Sequence, residues 1–365
     1  MASDPASRAG AILEIDLGAI VANWRLLAAT AAPAACAAVV KADGYGLGAA
    51  PVARALLAAG CRRFFVATLD EGIALRAVLG PAPEIAVFNG PLPGSAADFV
   101  AAQLIPVLND PGQIAAWERK GGGAASLLHL DTGLSRLGLS PAEFAAFAET
   151  GRQSGVQTLI SHLACAETPG HPLNRTQRKR FLAARHRLSG VRASLAASSG
   201  IFLGPEYHFD EVRPGAALYG VNPRPSSANP MRAVVRLSAK IVQIRKIDRG
   251  ESVGYGAAHV MDGPGFLATA AIGYADGWRR SLSHRGCGWL AGQRVPLLGR
   301  ISMDLATFDV SAVGQEARRP GNAIELIGDF YGVDAVAADA GTIGYEILTG
   351  LGRRYHRIYR NAPIG

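Results

Sequence analysis

The chain has 365 residues, 49% hydrophobic and 18% charged, with 37 basic against 29 acidic side chains and a formal charge of +8. This balance excludes a disordered or fibrous chain and gives enough length for one large folded unit plus a smaller one. The positive excess is spread along the chain except at Arg175–Arg187, which reads as a solvated helix face because no aromatic side chain interleaves it before Phe181; nucleic acid is not an expected partner.

In chain order, Ala11–Asp16 reads as a strand and Leu17–Ala29 as a helix with Ile20, Trp24 and Leu27 on one face, placed to close a ring. Apolar, β-branched runs then begin near Cys36, Arg63, Glu84, Leu104, Ser126, Val156, Arg192 and Glu211. Between them lie the helix-like stretches Leu47–Ala59, Asp70–Leu79, Pro111–Lys120, Pro141–Ser154 and Pro172–Leu188, several opened by Pro or Asp. This βα rhythm predicts a (β/α)8 barrel over residues 1–229, bounded by the link Asn222-Pro223-Arg224-Pro225-Ser226-Ser227. Past Asn229 the pattern changes to strands with short turns, Ala233–Ile247, Phe266–Ile272, Val295–Leu298, Ala306–Val310 and Ala323–Ile327, a mostly β domain over residues 230–365.

Cys36, Cys61, Cys165 and Cys287 are far apart with no C-x-x-C pair, so buried reduced thiols are expected, without disulfides or a metal site. The N-terminal residues contain no apolar leader core, and no segment offers the roughly 20 apolar residues of a membrane span. A cytoplasmic protein without a membrane partner is expected.

Barrel chemistry sits at the carboxyl ends of the strands, and here those ends carry Lys41 and Tyr45, Asp131 with Arg136, His162, Ser198 and Arg213. A lysine closing an apolar strand either reaches water or is kept for chemistry, because burying its charge is costly. The loops Ala197-Ser198-Ser199-Gly200 and Arg213-Pro214-Gly215-Ala216 are small and glycine-bearing, as a phosphate cradle of backbone N–H groups requires. Strand-end lysine and phosphate cradle together suggest pyridoxal phosphate held as a Schiff base.

The blocks A-V-V-K-A-D-G-Y-G-L-G (38–48), H-L-D-T-G-L-S-R-L-G (129–138), R-P-G-A-A-L-Y-G (213–220), V-G-Y-G-A (253–257) and G-R-I-S-M-D (299–304) resemble the signatures of the alanine racemases, in that family's order. The resemblance implies a pyridoxal 5'-phosphate barrel followed by a β domain that supplies the second base. It makes Lys41 the Schiff-base lysine and one catalytic base, and Tyr255 the base for the opposite face of the α-carbon; a phenol, with pKa about 10, needs nearby cations for that task. His162 matches the histidine linking this tyrosine to the arginine at the pyridine ring, and Arg213 matches that arginine. The guanidinium donates only, so the ring nitrogen stays unprotonated and transamination is disfavoured. The phosphate falls to the hydroxyls of Tyr45, Ser198 and Tyr345 and the N–H groups of Gly215 and Ala216. Arg136 is implied near the cofactor phenolate and the substrate carboxylate, with the Met303 N–H also on that carboxylate. Asp304 and Tyr274 would shape access to the site from the partner subunit of a homodimer with shared sites.

Two positions depart from the family. Where many members carry a carbamylated lysine that braces Arg136, this chain has His129, which rules out carbamylation there; a histidine, or an anion beside it, would have to serve. Ala197 stands where an asparagine is common before Ser198, so the hydrogen bonding around that serine is open. The implied activity is interconversion of L- and D-alanine, with D-alanine supply for peptidoglycan as its role. Alternatives are a broader, serine-type racemase and a non-catalytic pyridoxal-phosphate-binding barrel. A dinucleotide fold is a further rival, since Gly44–Ala49 fits a loose G-x-G-x-x-A with Asp70 about 20 residues on, but it leaves Lys41 unexplained.

Overall fold

The computed structural model describes residues 4–151 and 155–362. Two compact units divide the chain, one made of Ile20–Arg232 and the other of the residues up to Ala19 together with Ala233–Ala362.

In the first unit, parallel ladders run in sequence order through Ala38–Val39, Arg63–Val66, Glu84–Val87, Ile105–Leu108, Ser126–His129, Val156–Ile160 and Arg192–Ser194. The eighth strand, Glu211–Val212, pairs in parallel with Ala35–Cys36, the leading part of the first strand. On its other side the N–H groups of Asp210 and Arg213 donate to Ala193 O and Ala196 O at 3.0 and 2.9 Å. The sheet therefore closes as a (β/α)8-type barrel, and the reversal of strand order that a doubly wound dinucleotide fold requires is absent from it.

The strands are short and apolar because both of their faces are covered; Phe64, Phe65, Ile85, Val87, Val107, Leu127 and Leu128 are all fully buried. At the opposite end from the site, Arg63 lies 2.5 Å from Glu84 Oε2 and 3.1 Å from Glu211 Oε2, which ties together the starts of three strands. Helices Ala49–Ala58, Leu69–Leu79, Ala96–Ala101, Pro111–Lys120, Pro141–Glu149 and Pro172–Arg185 follow strands one to six. The fifth of these stops at Glu149, with Thr150 as its C-cap, short of the expected reach to Ser154; residues 152–154 lie outside the described residues. Strands seven and eight are followed by 3-10 turns, Ser199–Leu203 and Ala216–Tyr219, in place of full helices. Helix Leu17–Ala31 fills the remaining gap in the ring: Asn23 Nδ2 donates to Leu218 O at 3.2 Å and Trp24 Nε1 to Cys36 O at 3.2 Å.

The second unit is built on one 13-residue strand, Val235–Ile247. It pairs antiparallel with Ala323–Ile327 and with Gly265–Ala270, and the sheet continues through Ala306–Asp309, Gln293–Leu298 and Cys287–Leu290 back to Ala323–Ile327. Ala11–Asp16 also belongs here, antiparallel to Val235–Ile247 and parallel to His356–Arg360, although its place in the sequence put it with the barrel. The cause is its alternation: Ala11, Leu13 and Ile15 are buried and the residues between them half-buried, the pattern of an antiparallel strand with one covered face. Of the cysteines, Cys61 and Cys287 are buried, whereas Cys36 and Cys165 are only half-buried.

Candidate active site

Lys41 follows the first barrel strand directly and enters an unusual backbone run. Ala42, Asp43 and Tyr45 have φ of 54°, 53° and 54°, and Gly44 and Gly46 are also positive. Left-handed geometry presses Cβ against the next carbonyl, at about 1–2 kcal/mol for each non-glycine residue, so three within four residues need outside support. Asp43 gives part of it, its Oδ1 accepting the Ala49 N–H at 2.8 Å, and Glu71 Oε1 accepts the Ala42 N–H at 2.6 Å. The Lys41 amine stands 5.7 Å from the centre of the Phe88 ring. Burial, followed by the positive charge of Arg136, lowers its pKa, and Glu71 opposes that shift. The lysine at this strand end is thus biased toward a neutral, nucleophilic amine.

Arg136 is carried by a loop that leaves strand five and returns to it. Asp131 Oδ1 accepts N–H bonds from Gly133 and Leu134 at 2.8 and 2.9 Å, and the Leu139 N–H rejoins His129 O at 2.8 Å. His129 itself is buried and meets Asn109: its Nδ1 is 2.8 Å from Asn109 Oδ1, while the Asn109 amide nitrogen donates to Phe88 O and Val107 O, each at 3.0 Å. Because that amide oxygen can only accept, Nδ1 carries the hydrogen. Burial, then Arg213, pushes the His129 pKa down to about 4, so the ring is neutral. The group that occupies the family's lysine position is therefore an uncharged imidazole held by an asparagine that no sequence motif marked.

His162 is depressed further, to about 3, by burial and by Arg213, Arg136, His129 and Lys41. Arg213 is fully buried; one Nη donates to Ser194 Oγ and the other to Ser161 O at 2.6 Å, and desolvation lowers it to about 10, still protonated at neutral pH. Ser161 Oγ lies 2.8 Å from Thr132 Oγ1, which Gln177 Nε2 reaches at 3.1 Å. Lys41, His129, Arg136, His162 and Arg213 thus share one electropositive mouth.

Across that mouth, Ser198 Oγ accepts the N–H groups of Gly215 and Ala217 at 3.0 and 3.2 Å. Ala216 opens the adjoining 3-10 turn. A Cβ on Gly215 would lie 2.2 Å from Tyr45 Oη, which shows both that glycine is obligatory and that the Tyr45 hydroxyl reaches this loop. The Tyr45 and Tyr219 rings stack at 4.7 Å, and Tyr219 Oη donates to Val39 O at 3.1 Å, so the hydroxyl is set by packing. Ala197 has no side-chain polar group to add, and among the described residues the bonds to Ser198 Oγ come from backbone N–H groups. An amine of lowered pKa with two hydroxyls, a glycine cradle and the buried Arg213 guanidinium fits a phosphate-bearing aldehyde such as pyridoxal phosphate.

The remaining candidates lie in the β unit. Tyr255 begins the 3-10 turn Tyr255–Ala257 and is 71% exposed; Tyr274 and Met303 are 44% and 54% exposed. The turns of Tyr274 and Met303 are laced together, Tyr274 N–H to Ser302 O at 3.1 Å and Ala275 N–H to Met303 O at 2.9 Å. Arg354 binds Asp276 through Nε at 2.6 Å and Asp304 through Nη1 at 2.7 Å, an anchor between the two turns. Arg300 lies beside the Tyr255 turn, its Nη1 3.0 Å from where a Gly256 Cβ would be. Tyr345 stands in helix Gly344–Gly350 of the same unit.

Two family profiles match the chain, the alanine racemase N-terminal domain over residues 15–223 and the alanine racemase C-terminal domain over residues 234–359. Curated relatives include alanine racemase of Rhodospirillum rubrum, 51% identical over 98% of both chains, and a catabolic alanine racemase of Mesorhizobium japonicum, 51% identical over 96% of this chain and 93% of its own. Among solved structures, alanine racemase from Bartonella henselae with covalently bound pyridoxal phosphate superposes with a TM-score of 0.92 at 41% identity, covering 96% of this chain and 99% of that one. The biosynthetic alanine racemase of Pseudomonas aeruginosa gives 0.90 at 34% identity, over 97% and 100%.

Proposed function

The chain belongs to the alanine racemase family, and from that premise we propose how its own residues interconvert L- and D-alanine with pyridoxal 5'-phosphate at the barrel mouth. When bound, the cofactor supplies an electron sink that acidifies the substrate α-carbon. Tyr45, Ser198, Gly215 and Ala216, with Tyr345, would hold the phosphate, and Lys41 would bond the aldehyde carbon.

Lys41 is the base for one face of the α-carbon, its pKa lowered by burial and by Arg136. Tyr255 is the base for the other face, linked through neutral His162 to Arg213. Arg213, a donor without an acceptor site and held by Ser194 and Ser161 O, would meet the pyridine ring of the cofactor and leave its nitrogen unprotonated, a setting that favours racemisation over transamination. Arg136 and the Met303 N–H receive the substrate carboxylate, and Tyr274 with Asp304 borders the access route. The assembly is a homodimer in which each site draws Lys41 from one chain and Tyr255 from the other. Its support is the exposed rim of Tyr255, Tyr274 and Met303, in which Arg354 tethers the Tyr274 and Met303 turns through Asp276 and Asp304. Supply of D-alanine for peptidoglycan is the role this activity implies.

The observation that carries the reading is the strand-end Lys41, poised toward the neutral amine, opposite the hydroxyl-lined cradle at Gly215. Its test is a racemisation assay of purified protein on a series of L-amino acids with the visible spectrum recorded. Alanine should racemise fastest by a yellow protein; serine turning over faster would make it a serine-type enzyme, and yellow protein without turnover would make it a binding protein.

A further inference from the structure

Glu71 lies in the first turn of helix Leu69–Leu79, where it completes a capping box with Thr68. An ordinary box engages the N-cap N–H alone. Here Oε2 accepts the Thr68 N–H at 3.3 Å and also the Ala67 N–H at 2.7 Å. Oε1 crosses to the neighbouring strand end and takes the Ala42 N–H at 2.6 Å. Helix capping explains the first of these bonds and leaves the other two, the shorter ones, without a purpose.

Ala42 is the first residue of the left-handed run and the neighbour of Lys41. Its direction sets where the Lys41 side chain leaves the backbone and where Tyr45, three residues on, presents its hydroxyl. Both oxygens of Glu71 accept, which only a carboxylate can do; a glutamine would place an N–H₂ against one of the N–H groups. We propose that Glu71 is a positioning residue: its carboxylate clamps the ends of barrel strands one and two together and holds the left-handed turn that aims Lys41 and Tyr45 into the mouth. The assignment rests on the reading that Lys41 carries the cofactor. The groups bearing on the Lys41 amine are the Phe88 ring, Arg136, His162 and Glu71, of which Glu71 alone is anionic. Removing it withdraws the clamp and the counter-charge together.

The test compares Glu71→Gln and Glu71→Asp with Thr68→Ala, which breaks the capping box and leaves the Ala42 bond untouched. Amide hydrogen exchange in the apoprotein should quicken at residues 42–45 in Glu71→Gln and stay unchanged there in Thr68→Ala. Affinity for pyridoxal phosphate should fall about 10- to 100-fold in Glu71→Gln, the scale of a lost charge-assisted hydrogen bond, and less in Glu71→Asp. Competitive acetylation of Lys41 in the apoprotein should titrate at lower pH in Glu71→Gln than in wild type. If Glu71→Gln and Thr68→Ala lose thermal stability alike, with exchange, affinity and Lys41 titration as in wild type, Glu71 is a helix cap only. Borohydride fixation in wild type keeps the two claims apart: cofactor recovered on another lysine overturns the Lys41 reading itself, whereas recovery on Lys41 leaves the variants to judge Glu71.

Discussion

In the barrel, Lys41, His129, His162 and Arg213 all bind protons less readily than usual, with burial the largest cause for each, whereas in the β unit Tyr255, Tyr274 and Met303 stand 71%, 44% and 54% exposed on short turns. The first arrangement brings an amine, a glycine cradle and the buried Arg213 guanidinium together at the ends of several strands. In the second, Arg354 ties the turns of Tyr274 and Met303 together through Asp276 and Asp304, and all three side chains stand exposed. The contrast teaches a division of labour. On the proposed function, barrel residues would hold and tune a bound group, and β-unit residues would meet it from a second surface.

Substitutions in the two units should therefore fail differently. Lys41→Ala should cost the most, at least about 10⁴-fold in kcat, because it removes the proposed covalent anchor and base together; borohydride should then fix no cofactor. Tyr255→Phe should lower kcat by about 10²- to 10³-fold, the value of one acid–base group, while cofactor loading and the visible spectrum match wild type. Equal loss of loading in both variants would erase the distinction between the units.

Arg213→Glu sharpens the barrel side of the comparison. A carboxylate at the ring nitrogen favours its protonated form, so the fraction of turnovers ending in keto acid should rise about tenfold, the scale of one pKa unit of differential interaction. An unchanged ratio of keto acid to racemised product would mean that Arg213 does not tune the ring. The smallest effect concerns His129. With a neutral imidazole bonded to Asn109 in place of a carbamylated lysine, depleting bicarbonate at fixed pH should leave the rate unaltered; a reversible loss would point to another modified side chain.

What could be read from the sequence follows the strength of local signals. The barrel strands from Arg63 to Glu211 are legible as short runs, most of them apolar, at regular spacing, and the helices Pro111–Lys120, Pro141–Glu149 and Pro172–Arg185 because Pro marks their starts; Ala96–Ala101, which has no such mark, is not. Cys287–Leu290 and His356–Arg360 escape notice, one holding a glycine and the other three basic residues, so neither shows alternation. Ala11–Asp16 shows its period but not its partner, since pairing with Val235–Ile247 is a contact across most of the chain. At the site, Lys41 and Gly215 stand in recognisable blocks. Asn109 reads as the residue before an ordinary helix cap, and Glu71 as the acid of an ordinary capping box; their bonds to His129 and Ala42 exist only once the strands are side by side. The left-handed turn is hidden for a related reason: Ala42, Asp43 and Tyr45 are not the glycines that announce positive φ.

The central claim is that a working site needs the barrel of one chain and the β unit of another. Lys41→Ala and Tyr255→Phe homodimers should each be nearly inactive, and mixing them under conditions that exchange subunits should generate dimers with one doubly damaged and one intact site. Activity should return toward about half of the wild-type rate per mixed dimer, as independent sites in a two-fold assembly require. Demonstrated subunit exchange with no recovery would place both bases in the same chain and contradict the account.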